Sequence, residues 1–183
     1  MTPRIPPVSD RASLPPDIQQ LLDAAVTGTS GADNIYLTLA NHPGLMRRYL
    51  PFSAKLVLLS KLDPRLRELV ILRTGWLAKS EYEWGQHARI ARQVGVTDEE
   101  IKRVPAGPDD PGWSADDAMV LRATDELVTN YRISEPTWQA LAARFDNRVM
   151  IELSLLAGHY VMVAGFLNTI GVEREPGVEG FPS

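Results

Sequence analysis

Glu68, Glu83 and His87 sit where helical spacing turns ionisable side chains inward. Over residues 80–94, a turn of about 100° per residue puts Ser80, Glu83, Trp84 and His87 on one side with Ala88, Ile90, Ala91 and Val94. The other side carries Tyr82, Gln86, Arg89, Arg92 and Gln93. A buried ionisable group must be paired, or it shifts its pKa and neutralises. Glu83 and His87 are i, i+4 neighbours and can satisfy each other as a purely structural pair. A buried carboxyl beside an imidazole is also what acid–base catalysis needs, since burial brings both pKa values toward neutrality. In the stretch before, Glu68 is flanked on the wheel by Ile71, Leu72 and Gly75, so it too faces an apolar side. Arg65, Arg67 and Arg73 supply positive charge around it. Most of these suit surface or subunit salt bridges; Arg73 is the one placed to grip a substrate carboxylate as a bidentate fork.

His159 lies on a later apolar stretch with Tyr160 and Asn168. A lone histidine there reads first as a satisfied core residue, and second as the far wall of the same pocket. With Glu68, Glu83 and His87 it would complete a set of two histidines and two carboxylates. No H-x-x-E-H or H-E-x-x-H spacing supports that set, so no metal is expected. His42, just before Pro43, reads as a cap or loop residue. Tyr82, on the polar side, reads as a surface or interface residue, and Trp113 and Trp138 as core or interface.

The elements that must position these groups are helical. Residues 1–16 hold Pro3, Pro6, Pro7, Pro15 and Pro16, which predicts an extended arm, either loose or laid over a neighbouring subunit. Residues 17–172 form the helical domain, and 173–183 an irregular tail. Amphipathic spacing predicts helices over 17–26, 34–40 and 43–60, the last bent near Pro51. Asp63-Pro64 is a helix start with Asp as N-cap and Pro at the first position, and that helix should run to about residue 79. Residues 80–94 follow, ended by Gly95. Thr97 to Glu100 spells a capping box. After the breaker-rich 105–112 loop, Ser114 caps a helix to about residue 131, another covers 135–145, and the last runs from 146 or 147 to about 170. No strand run or internal repeat stands out. The fold class is all-α.

Bulk properties narrow the functions. With 183 residues, 44% hydrophobic and 23% charged, the chain suits one globular domain with its own core. A net charge of -4 without a basic run argues against nucleic acid. There is no cysteine, hence no disulfide, thiolate nucleophile or Cys-bound metal. Residues 153–172 are apolar enough to raise a membrane question, but they carry His159 and Asn168, and a buried core helix is the expectation. The first sixteen residues lack an apolar secretory segment, so the expected compartment is the cytoplasm.

Three segments in order, Leu66-Arg-Glu-Leu-Val-Ile-Leu-Arg73, Glu81-Tyr-Glu-Trp-Gly-Gln-His87 and Gly95-Val-Thr-Asp-Glu-Glu-Ile101, resemble the core block of the carboxymuconolactone decarboxylase family and its AhpD-like branch. The resemblance implies an AhpD-like helical bundle assembled as a trimer or hexamer. The AhpD-like peroxidase site reads Glu, eleven residues, Cys-x-x-Cys, three residues, His. By position that pattern falls on Glu68, Ser80, Glu83 and His87, with both cysteines replaced. A dithiol peroxidase needs a thiolate to attack and a second thiol to resolve the sulfenic acid, and Ser and Glu supply neither.

The decarboxylase branch needs no thiol and no cofactor. It implies a lyase that protonates an enolate on a small carboxylated lactone or carbonyl compound, using a proton donor, an anion clamp and a dry pocket. In that reading His87 is the general acid/base, Glu83 orients it and Glu68 is a second acid/base. Ser80, Trp84, Arg73 and His159 contact substrate. Two rivals remain. A non-catalytic oligomeric binding protein predicts Glu83 and His87 paired only to each other in a closed core. A thiol-independent, peroxide-related oxidoreductase would need a redox group that the sequence does not display.

Overall fold

The computed structural model describes residues 2–28 and 33–182, with side chains described outside 26–33. Met1 of the expected arm, Val26 at the end of the first expected helix and Ser183 of the expected tail fall outside those limits, wholly or for their side chains. The helices are α1 (Pro16–Gly28), α2 (Asp33–Leu39), α3 (Pro43–Val57), α4 (Pro64–Leu77), α5 (Glu81–Gln93), α6 (Asp98–Arg103), α7 (Ala115–Asn130), α8 (Glu135–Ala142) and α9 (Asn147–Ile170). Among the described residues there is no strand, and the fold is all-α.

Local chemistry sets the boundaries. Asp63 accepts from the backbone N–H groups of Arg65 and Leu66, and Pro64 opens α4. Thr97 and Glu100 form the reciprocal capping box of α6. Asp146 caps α9, and Gly171, at φ 77°, closes it in the left-handed region that favours glycine. His42 caps α3 through its side chain, accepting from Leu45 N–H. Pro51 lies inside α3, which ends at Val57 rather than at residue 60.

The central element is α4. It packs against α5, α7 and α9, and residues 66–75 are all buried. A helix covered on every side has no solvent face for its charges, so each must find a partner. Arg73 donates from Nε and Nη2 to the Asp125 carboxylate (2.6 and 2.9 Å) and from Nη1 to the carbonyls of Val104 and Pro105. Arg67 donates to Glu68. Arg65, nearer the end, bonds Asp117 and Glu100.

Two hydrophobic clusters result. The larger joins α4, α5, α7 and α9; the smaller joins α1, α2 and α3 through Ile18, Leu22, Leu39, Met46 and Leu50. The N-terminal arm lies along its own chain: Arg4 N–H donates to Ile170 O and Val8 N–H to Leu37 O. The tail is irregular in backbone but fastened. Phe181 packs edge-on to Trp76 and Trp84, and Val178 and Glu179 cross Gly85 so closely that a Cβ there would collide with Glu179 O. Half of the most apolar window of α9 is buried in the fold.

Candidate active site

A cavity of about 260 Å³ lies between the two clusters. One wall is the α1–α3 layer, including Leu21, Ile35, Tyr36, Tyr49 and Leu50; the other is Arg67 of α4, Tyr82, Glu83, Gln86 and His87 of α5, and His159 and Tyr160 of α9. The helices that build the main core therefore aim their misfit polar groups at the seam with the smaller layer.

Glu68 is fully buried behind this wall. Its carboxylate accepts from Arg67 Nε at 2.9 Å and faces His87 Nδ1 at 2.7 Å. Glu68 is thus the group that orients the imidazole. With Nδ1 held on the carboxylate, Nε2 is the ring nitrogen left for the cavity. The expected Glu83–His87 pairing is absent. Both Glu83 carboxyl oxygens are buried without a hydrogen-bond partner among the described residues, and the group packs against Gly75, whose missing Cβ would sit 3.3 Å from Oε1. Burial pushes the Glu83 carboxyl well above the usual carboxylate range, which favours the neutral acid.

The far wall is aromatic. His159 stacks on Tyr49 (centroids 5.5 Å, 23°) and meets Tyr160 edge-on at 5.2 Å; Tyr160 in turn meets His87 edge-on at 4.9 Å. Burial, with a smaller effect from His87, lowers the His159 pKa to about 4, so it is neutral at neutral pH. Burial also raises the Tyr49, Tyr82 and Tyr160 phenols above their ordinary range. At the rim, Glu175 of the tail accepts from Tyr82 Oη (2.8 Å), from Gln86 Nε2 and from Asn34 N–H (2.8 Å). Among the described residues no group of three His, Asp or Glu is arranged to hold a metal ion.

Residues 43–126, which contain Glu68, Glu83 and His87, match the model of the carboxymuconolactone decarboxylase family. Over that segment the chain is similar to the carboxymuconolactone decarboxylase family. No curated protein sequence matches it. Solved structures share the fold. A peroxidase-related protein with an alkylhydroperoxidase AhpD core, from Ralstonia eutropha JMP134, superposes with TM-score 0.82 at 20% identity, over 93% of this chain and 91% of that one. A peroxidase-related protein from Silicibacter sp. TM1040 gives 0.82 at 15%, over 99% and 98%. A variant of the debrominase Bmp8 in complex with 2,3,4-tribromopyrrole gives 0.75 at 12%, over 94% and 91%. At these identities the likeness is one of fold.

Within this fold the sequence-derived candidates divide. Glu83, His87 and His159 line the cavity, and Glu68 stands directly behind His87. Arg73 does not reach it, because Asp125 and two carbonyls occupy its guanidinium. Trp84 points away, into the Trp76–Phe181 cluster. Ser80 is fully buried at the N-cap of α5, its hydroxyl unpartnered and outside the cavity lining. Tyr82 and Gln86 are buried cavity residues rather than surface ones, since the tail covers the face of α5 that the helical wheel left to solvent. The sequence reading missed Arg67 as a wall residue. A signal existed: beside an inward Glu68, one arginine of the three had to supply its counter-charge.

Proposed function

We propose that this chain is a cofactor-independent proton-transfer enzyme acting on a small carbonyl or lactone compound. His87 is its general base, Glu68 the positioning residue for that base, and Glu83 a neutral general acid. The observation that carries the reading is the 2.7 Å contact of Glu68 with His87 Nδ1 at the wall of a cavity that also takes in Glu83. A base held in one tautomer by a carboxylate, beside an acid that burial keeps neutral, is what enolisation requires. His87 Nε2 takes the proton from the carbon next to the carbonyl. The C–H electron pair becomes the new C=C bond, and the carbonyl oxygen takes the Glu83 proton. The resulting enol is reprotonated at carbon by the imidazolium while Glu83 recovers its proton from oxygen, so no electrons leave the substrate. The carbonyl oxygen acquires charge in an apolar cavity where a pre-placed donor is effective.

The Bmp8 complex shows a flat ring compound bound to a protein of this fold, which agrees with a cavity walled by stacked aromatic side chains here. Dithiol peroxide reduction is not part of the reading, because Ser80 and Glu83 stand at the positions where the peroxidase pattern has its cysteines. The test is solvent-deuterium incorporation at carbon, followed by NMR over a panel of cyclic ketones and lactones. Exchange above buffer that disappears in His87→Ala and falls at least about tenfold in Glu83→Met supports it. Exchange unchanged in His87→Ala would overturn it.

A further inference from the structure

We infer that the substrate is a cyclic 1,3-dicarbonyl compound whose acidic C–H, between the two carbonyl groups, faces His87. One carbonyl oxygen meets Glu83 and the other meets the outer edge of the Arg67 guanidinium. The inference rests on the reading above for His87 as base and Glu83 as donor. Arg67, which that reading leaves unused, becomes a substrate-contacting residue.

The free edge of Arg67 comes first. Arg67 is the one arginine or lysine among the described lining residues of the cavity. Its Nε donates to Glu68 Oε1 at 2.9 Å. Among the described residues Nη1 and Nη2 have no acceptor, and they are not sealed in the core, since the side chain keeps 10% of its surface accessible. A guanidinium held at Nε still offers an end-on pair of N–H donors, a planar fork suited to an oxygen that carries negative charge. Its inner edge supports Glu68, and its outer edge is left for a ligand.

The order of the groups along the wall gives the ligand its pattern. Arg67 and His87 hold the two oxygens of one carboxylate, so guanidinium and imidazole are neighbours across Glu68. Glu83 stands on the other side of His87. It packs on Gly75, which lies about 10 Å further along α4 than Glu68 by helical rise. His87 therefore sits between a cation on one side and a neutral acid on the other. A lone ketone uses one such donor. A C–H flanked by two carbonyl groups spreads the charge of its enolate over two oxygens and uses both. The second carbonyl also brings the acidity of the C–H much closer to that of an imidazolium, the match on which general-base catalysis depends. A cavity of about 260 Å³ holds one or two rings.

The atoms balance as before. His87 Nε2 takes the central proton, the C–H pair becomes the new C=C bond, and the oxygen beside Glu83 takes its proton. The second carbonyl, conjugated with that C=C bond, shares the developing charge at Arg67. Reprotonation at carbon restores every group.

The test uses 2-acetylcyclohexanone and 2-ethylcyclohexanone, a matched pair that differs in the second carbonyl. Isothermal titration calorimetry on the full chain at pH 7.5 should show the dicarbonyl binding at least about tenfold more tightly. This comparison needs no variant. Arg67→Lys keeps a cation for Glu68 but not the planar fork, so it should remove most of the preference while binding 2-ethylcyclohexanone as the parent does. Equal or weaker binding of the dicarbonyl to the parent overturns the inference, as does a preference that survives Arg67→Lys intact, or failure of both compounds to bind. Binding is read without turnover, so the two readings fail separately. A lost preference leaves deuterium exchange through His87 standing, whereas a preference without exchange supports the Arg67 contact and refutes His87 as base.

Discussion

Replacing Glu83 by methionine should make the protein more stable and less active at once. Glu83 is buried and neither carboxyl oxygen has a partner. A buried polar group left unsatisfied costs about 1–3 kcal/mol. Methionine has similar length, no polar atom and enough flexibility to pack over Gly75. In a chain of 183 residues, 1 kcal/mol moves Tm by ~2–4 °C, so the gain is roughly 2–12 °C. The pH dependence gives a second handle. The folded-state pKa of Glu83 is raised, so the native state keeps a proton that the unfolded chain loses once pH passes the ordinary carboxyl range near 4.5. That contribution to stability is fully present below this range and is lost as pH rises toward the folded pKa. Methionine does not titrate, so its advantage should be larger at pH 8 than at pH 5. Scanning calorimetry of both proteins at the two pH values reads it directly. A Glu83→Met protein that melts lower than its parent, or whose advantage shrinks with rising pH, would refute the account of Glu83 as an unpaired, neutral acid retained for chemistry.

Other outcomes follow from the same geometry. Glu68→Ala strands the Arg67 guanidinium in the core and should cost about 3–5 kcal/mol by denaturant titration. In Glu68→Gln, the 15N shifts of His87 should report a changed tautomer balance and the pH profile of exchange should move, with Glu68→Asp restoring part of both; unchanged shifts would deny Glu68 its positioning role. His159, with its pKa lowered from 6.5 to about 4, stabilises the fold above its unfolded pKa. That contribution is lost as pH falls from 6.5 toward 4, so His159→Gln should flatten the acid limb of a stability–pH curve. The exposed face of α9 carries Ile151, Leu155 and Met162, with Gly158 in open space between them and Gly165 in open space just beyond Met162. We propose that a second copy of the chain covers this face. Leu155→Glu should then lower the sedimenting mass, and a parent chain that sediments as a monomer removes the idea.

Much of the fold was legible because its boundaries are set by local chemistry. Asp63-Pro64, the Thr97–Glu100 box and Gly171 act within a few residues of themselves, so the sequence displays them directly. The inward direction of Glu68, Glu83 and His87 was legible too, since helical periodicity fixes which way a side chain leaves its axis. Tyr82 and Gln86 were misread because periodicity cannot show that residues 174–181 fold back over the face of α5 that looks solvent-facing. Arg73 was misread for a related reason: its partner Asp125 lies 52 positions away on α7.

The partner of His87 shows where such reading ends and packing takes over. On α5 alone, Glu83 is the natural mate for an imidazole four residues on. In the assembled structure α4 crosses α5 and delivers Glu68 to Nδ1, and Arg67 beside it supplies the counter-charge that lets that carboxylate stay buried. Once Glu68 holds the histidine, Glu83 has no structural duty left, and a buried carboxyl without a duty is a destabilising one. Its position in the cavity wall, one helical turn from His87, is what distinguishes an acid kept for a substrate from an accident of packing, and the opposed effects expected of Glu83→Met on stability and on exchange put that distinction to measurement.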